Sequence, residues 1–149
     1  MSNILWTNDK SGSFITSADK LGFLQLWNVG GKEPQRFIKV GTSGVHTMLP
    51  LPGKMQRILI AMKNGAILIY NVAKHRTDFA TESGHSETIF DMDYCPSRKD
   101  VLASCSYDGT VRIWDVKSMK LMAVNDTQRG SPHSDCEKRI IYSVSWHPT

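Results

Sequence analysis

The sequence has no apolar run near the ~18 residues needed to span a bilayer. Its opening residues, Met1-Ser2-Asn3-Ile4-Leu5-Trp6, have neither a basic start nor a long apolar stretch, which argues against a secretory signal. Cysteine is scarce: Cys95, Cys105 and Cys136 make an odd number, with no close pair. A disulfide framework is thereby disfavoured, and free thiols in a reducing compartment are expected, the cytoplasm first and the nucleus as the alternative. Cys95 and Cys105 lie in apolar runs and read as small buried hydrophobes. A phosphate loop is missing too, because Gly30-Gly31-Lys32 lacks the earlier glycine and the following Ser or Thr. His133 and Cys136 have ligand-like spacing but stand in a polar loop without a second pair, so no metal is expected. No cofactor motif is present.

What the chain does contain is the mix of a folded domain, 40% hydrophobic and 21% charged over 149 residues. No stretch keeps a 3.6-residue apolar period, so almost no helix is expected. The net charge of +4 is carried by residues near expected turns, among them Lys54, Arg57, Lys74, Arg98, Lys117 and Arg139. They read as solvated loops, with a weak pull on acidic partners.

Self-similarity organises the sequence. Phe14–Asp19 followed by Phe23–Val29, Ile58–Gly65 followed by Ala66–Val72, and Val101–Gly109 followed by Thr110–Val116 align with one another. Their aromatic position recurs as Trp27, Tyr70 and Trp114, at the 43- to 44-residue period of a four-stranded blade. Asn64-Gly65 and Asp108-Gly109 are strong hairpin turns, since these residues tolerate positive φ. The prolines at 50, 52, 96 and 148 mark the ends of a further strand ahead of each hairpin. Met1–Thr7 fits that strand in the first unit, with Trp6 at the place of Tyr94, and Ile141–Pro148 repeats the Ile89–Pro96 pattern.

The third unit carries Gly84-His85, Ile89–Pro96 and Ser106-Tyr107-Asp108-Gly109-Thr110-Val111-Arg112-Ile113-Trp114-Asp115. This resembles a complete WD repeat. The second unit is degenerate: Gly44-Val45-His46 hints at Gly-His, and Tyr70-Asn71 stands for Trp-Asp. Ser86–Asp91 and Ile141–Trp146 look most like the WD repeat-containing protein seventeen group. The resemblance implies an all-β fold: three four-stranded antiparallel blades of a WD-repeat β-propeller plus one strand of a fourth. The blades fall at about 1–40, 44–81 and 84–124, with an insertion loop at 125–138 and a strand at 139–148. Three blades and one strand leave an incomplete ring, because propellers close with about four to eight blades. The chain therefore reads as a piece of a longer protein, or as a subunit that self-associates through open blade edges.

His85, Ser106, Asp108 and Trp114 suggest two chemistries. One is a Ser-His-Asp hydrolase, but no nucleophile elbow or oxyanion hole accompanies the serine. The resemblance implies the other, a buried hydrogen-bond network that holds the blade, with Ser104 as the alternative serine two residues away on the same strand face. The second unit has Met62, Asn64 and Tyr70 at these places and would be held by apolar contact. The resemblance also implies a partner-binding face, which maps onto Thr88, Phe90 and Tyr107, onto Gly44, His46 and Lys63, and onto Ile140 and Tyr142. Aromatic residues are enriched at interface hot spots. The leading expectation is a non-catalytic scaffold for protein or peptide partners, with no catalytic residue. A nucleic-acid-associated propeller using basic loops is the alternative, weakened by the lack of a Lys/Arg stripe with interleaved aromatics. A propeller enzyme comes last.

Overall fold

The structure is a computed structural model that describes residues 4–9, 12–53, 56–81, 84–127 and 139–147. Twelve strands form three antiparallel sheets of four, and the described residues contain no helix. The first blade holds β1 (Ile4–Asp9), β2 (Gly12–Ala18), β3 (Phe23–Asn28) and β4 (Arg36–Lys39). The second holds β5 (Val45–Pro50), β6 (Arg57–Met62), β7 (Ile67–Asn71) and β8 (Arg76–Ala80). The third holds β9 (Ile89–Tyr94), β10 (Val101–Ser106), β11 (Thr110–Asp115) and β12 (Lys120–Asp126). In each sheet the strands pair in chain order. Trp6, Pro50 and Tyr94 occupy one position of the inner strand, opposite Ile15, Ile58 and Leu102, which in turn face Trp27, Tyr70 and Trp114.

One side-chain device shapes all three hairpins between the second and third strands. Asp19 Oδ1 accepts the Leu21 and Phe23 amides, Asn64 Oδ1 accepts the Ala66 amide, and Asp108 Oδ1 accepts the Thr110 amide. Such Asx turns need a short acceptor on the first turn residue, which is why Asp or Asn recurs there. Gly22, Gly65 and Gly109 follow with φ of 85°, 85° and 81°.

The middle blade is apolar on both faces. Ile58, Ile60 and Met62 of β6, with Leu68 and Tyr70 of β7, pack against Ala18, Leu24 and Leu26 of the first blade. The alternating residues Leu59, Ala61, Ile67 and Ile69 pack against Ile89, Met92, Leu102 and Trp114 of the third. A strand covered on both sides loses its polar alternation, so β6 and β7 read as unbroken apolar runs. At about 1.5–3 kcal/mol per large buried side chain, these two layers are the main source of cohesion. The outermost strands β4, β8 and β12 are mostly exposed.

The structure departs from the expectation of a strand at 139–148. Residues 139–147 pair in no ladder. They are tied instead by side chains to β9: Ser143 Oγ donates to Asp91 at 2.8 Å, the Trp146 amide to Asp93 at 2.9 Å and its indole to the Asp93 carbonyl at 3.0 Å. A strand requires a hydrogen-bonded neighbour, and no described residue supplies one here. The insertion loop also begins later than expected, since Asn125 and Asp126 belong to β12. Residues 128–138, with His133 and Cys136, lie outside the described residues. Cys95 and Cys105 are buried free thiols, and burial raises the Cys105 pKa to about 11.

Candidate interaction face and the network beneath it

In the third blade the His85 ring is buried between Asp108 and Ser104. Its Nδ1 lies 2.9 Å from Asp108 Oδ2 and its Nε2 lies 2.8 Å from Ser104 Oγ. The same oxygen accepts the Trp114 indole N–H at 2.8 Å. All donors are satisfied when His85 is neutral with its proton on Nδ1: Trp114 donates to Ser104, Ser104 to His85 and His85 to Asp108. Burial pushes the His85 pKa below its ordinary value, against the upward pull of Asp108. Asp108 also takes the Thr110 hydroxyl at 2.7 Å and the Ser86 amide at 3.1 Å. Burial opposes its ionisation, yet the hydroxyl and the amide of Thr110, with His85, bring its pKa down to about 2.

The serine of this network is Ser104, where the sequence pointed first to Ser106. Ser106 Oγ instead donates to the Glu87 carbonyl at 3.2 Å and accepts the Asp108 amide at 3.1 Å. It closes the turn beside the network rather than joining it. Ser104, His85 and Asp108 do follow the order of a hydrolytic triad. Ser104, however, has no exposed surface, and its oxygen is already occupied by Trp114. A nucleophile must reach its substrate, and this one cannot.

The second blade has no such network, and the Gly-His hint there dissolves. Val45 faces Met62 as Ile89 faces Ser106, so counting back from the strand puts Gly41, not Gly44, at the His85 position. A Cβ on Gly41 would lie 2.8 Å from the Met62 methyl, which occupies this space. Gly44 takes the place of Thr88. Tyr70 fills the Trp114 position, buried in apolar contacts, with its hydroxyl lacking a partner among the described residues.

The residues expected to form a partner face lie around two bulges. β5 and β9 each slip register at one residue, His46 between Val45 and Thr47, and Phe90 between Ile89 and Asp91. Such bulges re-aim a side chain. Phe90 packs edge-on against His46 with ring centres 5.2 Å apart, and Tyr142 and Tyr107 flank it at 4.9 and 6.2 Å. Phe90 is partly buried, whereas Tyr107 and Tyr142 are 41% and 66% exposed. Burial, helped by Lys63, keeps the His46 pKa below its ordinary value, with Asp91 pulling the other way. Thr88 fastens the edge of the face by donating its hydroxyl to the Lys63 carbonyl at 3.0 Å. Ile140 sits half-buried two residues before Tyr142. The structure thus gathers His46, Phe90, Tyr107 and Tyr142 around one centre and puts Lys63 and Thr88 on its margin, while Ile140 is placed only by its position in the chain, two residues before Tyr142. The bulges were not read from the sequence, and no local signal there marks them.

Residues 77–115 match the family model described as WD domain, G-beta repeat. The chain is similar to Glutamate-rich WD repeat-containing protein 1 of Dictyostelium discoideum, at 41% identity over 38% of this chain and 12% of the relative. It is similar to Ribosome biogenesis protein YTM1 of Meyerozyma guilliermondii, at 28% identity over 95% of this chain and 29% of the relative. Coronin-7 of Bos taurus is 55% identical over 46% of this chain and 7% of the relative. The chain therefore spans less than a third of the length of these relatives. Together they support the WD-repeat family. They lend no support to the narrower resemblance to the WD repeat-containing protein seventeen group.

Proposed function

We propose that this WD-repeat chain is a non-catalytic scaffold, and that the aromatic centre around Phe90 is where a protein or peptide partner docks. The observation that carries this reading is the ring arrangement itself. Phe90 is held from below by its bulge and from the sides by His46 and Tyr142, while Tyr107 and Tyr142 present exposed rings. Aromatic side chains are enriched among interface hot spots. The Ser104–His85–Asp108 array is read as structural, because it is sealed. The similarity to a ribosome biogenesis protein fits a role in a larger assembly, with the cytoplasm or the nucleus as the proposed compartment.

The test is selection of peptides from a displayed random library on the whole chain. The reading expects enriched peptides that lose at least tenfold in affinity when Tyr107 and Tyr142 are both changed to alanine, since hot-spot residues are worth about 2 kcal/mol or more each. Peptides that bind the double variant as well as the parent would refute it. A second mode of association, between copies of the chain, is favoured by the exposed Ile4, Trp6 and Phe37 of the first blade. Light scattering over a concentration series reads it directly: a mass that stays at one chain removes it.

A further inference from the structure

At the other end of the strands, between the second and third blades, lies a cleft of about 480 Å³. Its floor is aliphatic, made by Leu51, Ile69 and Val116. Its rim carries four cations, Arg57, Arg98, Lys99 and Lys117, against one carboxylate, Asp100. We propose that this cleft binds an acidic peptide segment that lays one aliphatic side chain on the floor.

The charges are only partly answered from within. Asp100 is shared by Arg98 at 3.8 Å and Lys117 at 3.7 Å, both longer than a direct hydrogen bond. Such exposed, long pairs contribute little and leave both side chains available. Arg57 is held in place by Asp78 at 2.8 Å. Lys99 has no ion pair among the described residues. The surplus of positive charge over an apolar floor is complementary to carboxylates flanking an aliphatic residue.

The walls are already ordered. The Val116 amide donates to the Asp100 carbonyl at 2.8 Å, the Lys117 amide to Asp115 at 3.0 Å, and the Leu51 amide to the Arg57 carbonyl at 2.9 Å. The β9–β10 turn is closed by the Arg98 amide on the Cys95 carbonyl at 3.2 Å and the Val101 amide on the Arg98 carbonyl at 2.8 Å. Binding to preformed backbone loses little further conformational freedom. A nucleic-acid strand is a poorer match, because no lining residue is aromatic and a base would have nothing to stack upon.

The test uses fluorescence anisotropy with a labelled peptide of six Asp and Glu residues around a central leucine, titrated with the full chain. Replacing that leucine by alanine is expected to weaken binding about tenfold, from the apolar area lost. The double variant Lys99→Glu, Lys117→Glu is expected to weaken it about tenfold or more, from two reversed contacts, and a rise in salt to act in the same direction. Changing Tyr107 and Tyr142 to alanine should leave this binding intact, which separates the cleft from the aromatic face. The substituted lysines are exposed, and unchanged circular-dichroism melts will show that the fold survives. Equal binding of the leucine and alanine peptides, indifference to the charge reversal, or equal binding of a twelve-nucleotide oligothymidylate would each overturn the proposal.

Discussion

Replacing Ser104 by alanine removes one oxygen, and its surroundings set the size of the effect. That oxygen accepts the Trp114 indole N–H and meets His85 Nε2, each at 2.8 Å. Trp114 is 1% exposed and His85 4%, so water cannot take its place. The change strands one donor and one acceptor, at about 1–3 kcal/mol for each buried group left without a partner. A loss of about 3 kcal/mol is expected, a large share of the ~5–15 kcal/mol that holds a typical domain together. Ser106→Ala touches only the Asp108 amide and the Glu87 carbonyl, and Glu87 is exposed, so about 1 kcal/mol is expected. Urea unfolding at neutral pH, followed by tryptophan fluorescence, measures both. With a slope of about 1–3 kcal/mol per molar urea, Ser104→Ala should lower the midpoint by about 1–3 M. In the double variant Ser104→Ala, Trp114→Phe the indole donor is gone, so its cost should fall short of the sum of the two single changes. If Ser106→Ala costs as much as Ser104→Ala, or if the double variant is simply additive, the hydrogen-bond chain from Trp114 through Ser104 to His85 is wrong.

Three further outcomes follow from the same geometry. The pKa values of His85 and His46 are lowered in the folded chain, so the unfolded chain takes up those protons first; stability should be full above the ordinary histidine value of 6.5 and decline as the pH falls below it. Asp108, lowered to about 2, should add a second loss between about pH 4 and 2, and thermal melts at stepped pH would show whether the two stages exist. Gly65 has φ of 85°, and a Cβ there would run into the His85 carbonyl, whereas Gly30 has φ of 86° and open space around it. Gly30→Ala should therefore cost about 1–2 kcal/mol from backbone conformation alone, and Gly65→Ala clearly more in the same melts. Tyr70→Phe should be neutral or stabilising by up to about 1 kcal/mol, since the buried hydroxyl has no partner among the described residues to lose. A destabilisation beyond that would reveal a bond to this hydroxyl.

The blade plan was legible because its signals are local. Asp19, Asn64 and Asp108 open the turns, glycine follows at positive φ, and the aromatic column recurs at a fixed step. The apolar hold on the second unit was expected, but that β6 and β7 are covered on both faces is seen only in the structure. The choice between Ser104 and Ser106 was not legible, because residues two apart share a face and alternation cannot separate them. It is decided in space, by which oxygen lies between the His85 ring and the Trp114 indole. The misplaced glycine of the second blade was avoidable: Gly84 precedes its strand by five residues and Gly44 by one. The unpaired segment at 139–147 shows a different limit. A sequence can carry the pattern of a strand, but the ladder belongs to two segments at once.

The family match begins at residue 77, inside β8 of the second blade, and ends at residue 115, the last of β11 in the third. The stretch that matches the family and the folded blade are thus out of phase by one strand. A tandem copy of this stretch would hand its first strand to the blade before it and keep three for its own. Each new copy would arrive already stitched to its neighbour by an unbroken chain, with the turn glycine and the Gly-His loop that meet between blades carried along in register. Duplication could lengthen such a chain without inventing an interface, whereas the loss of one copy would unmake parts of two blades together.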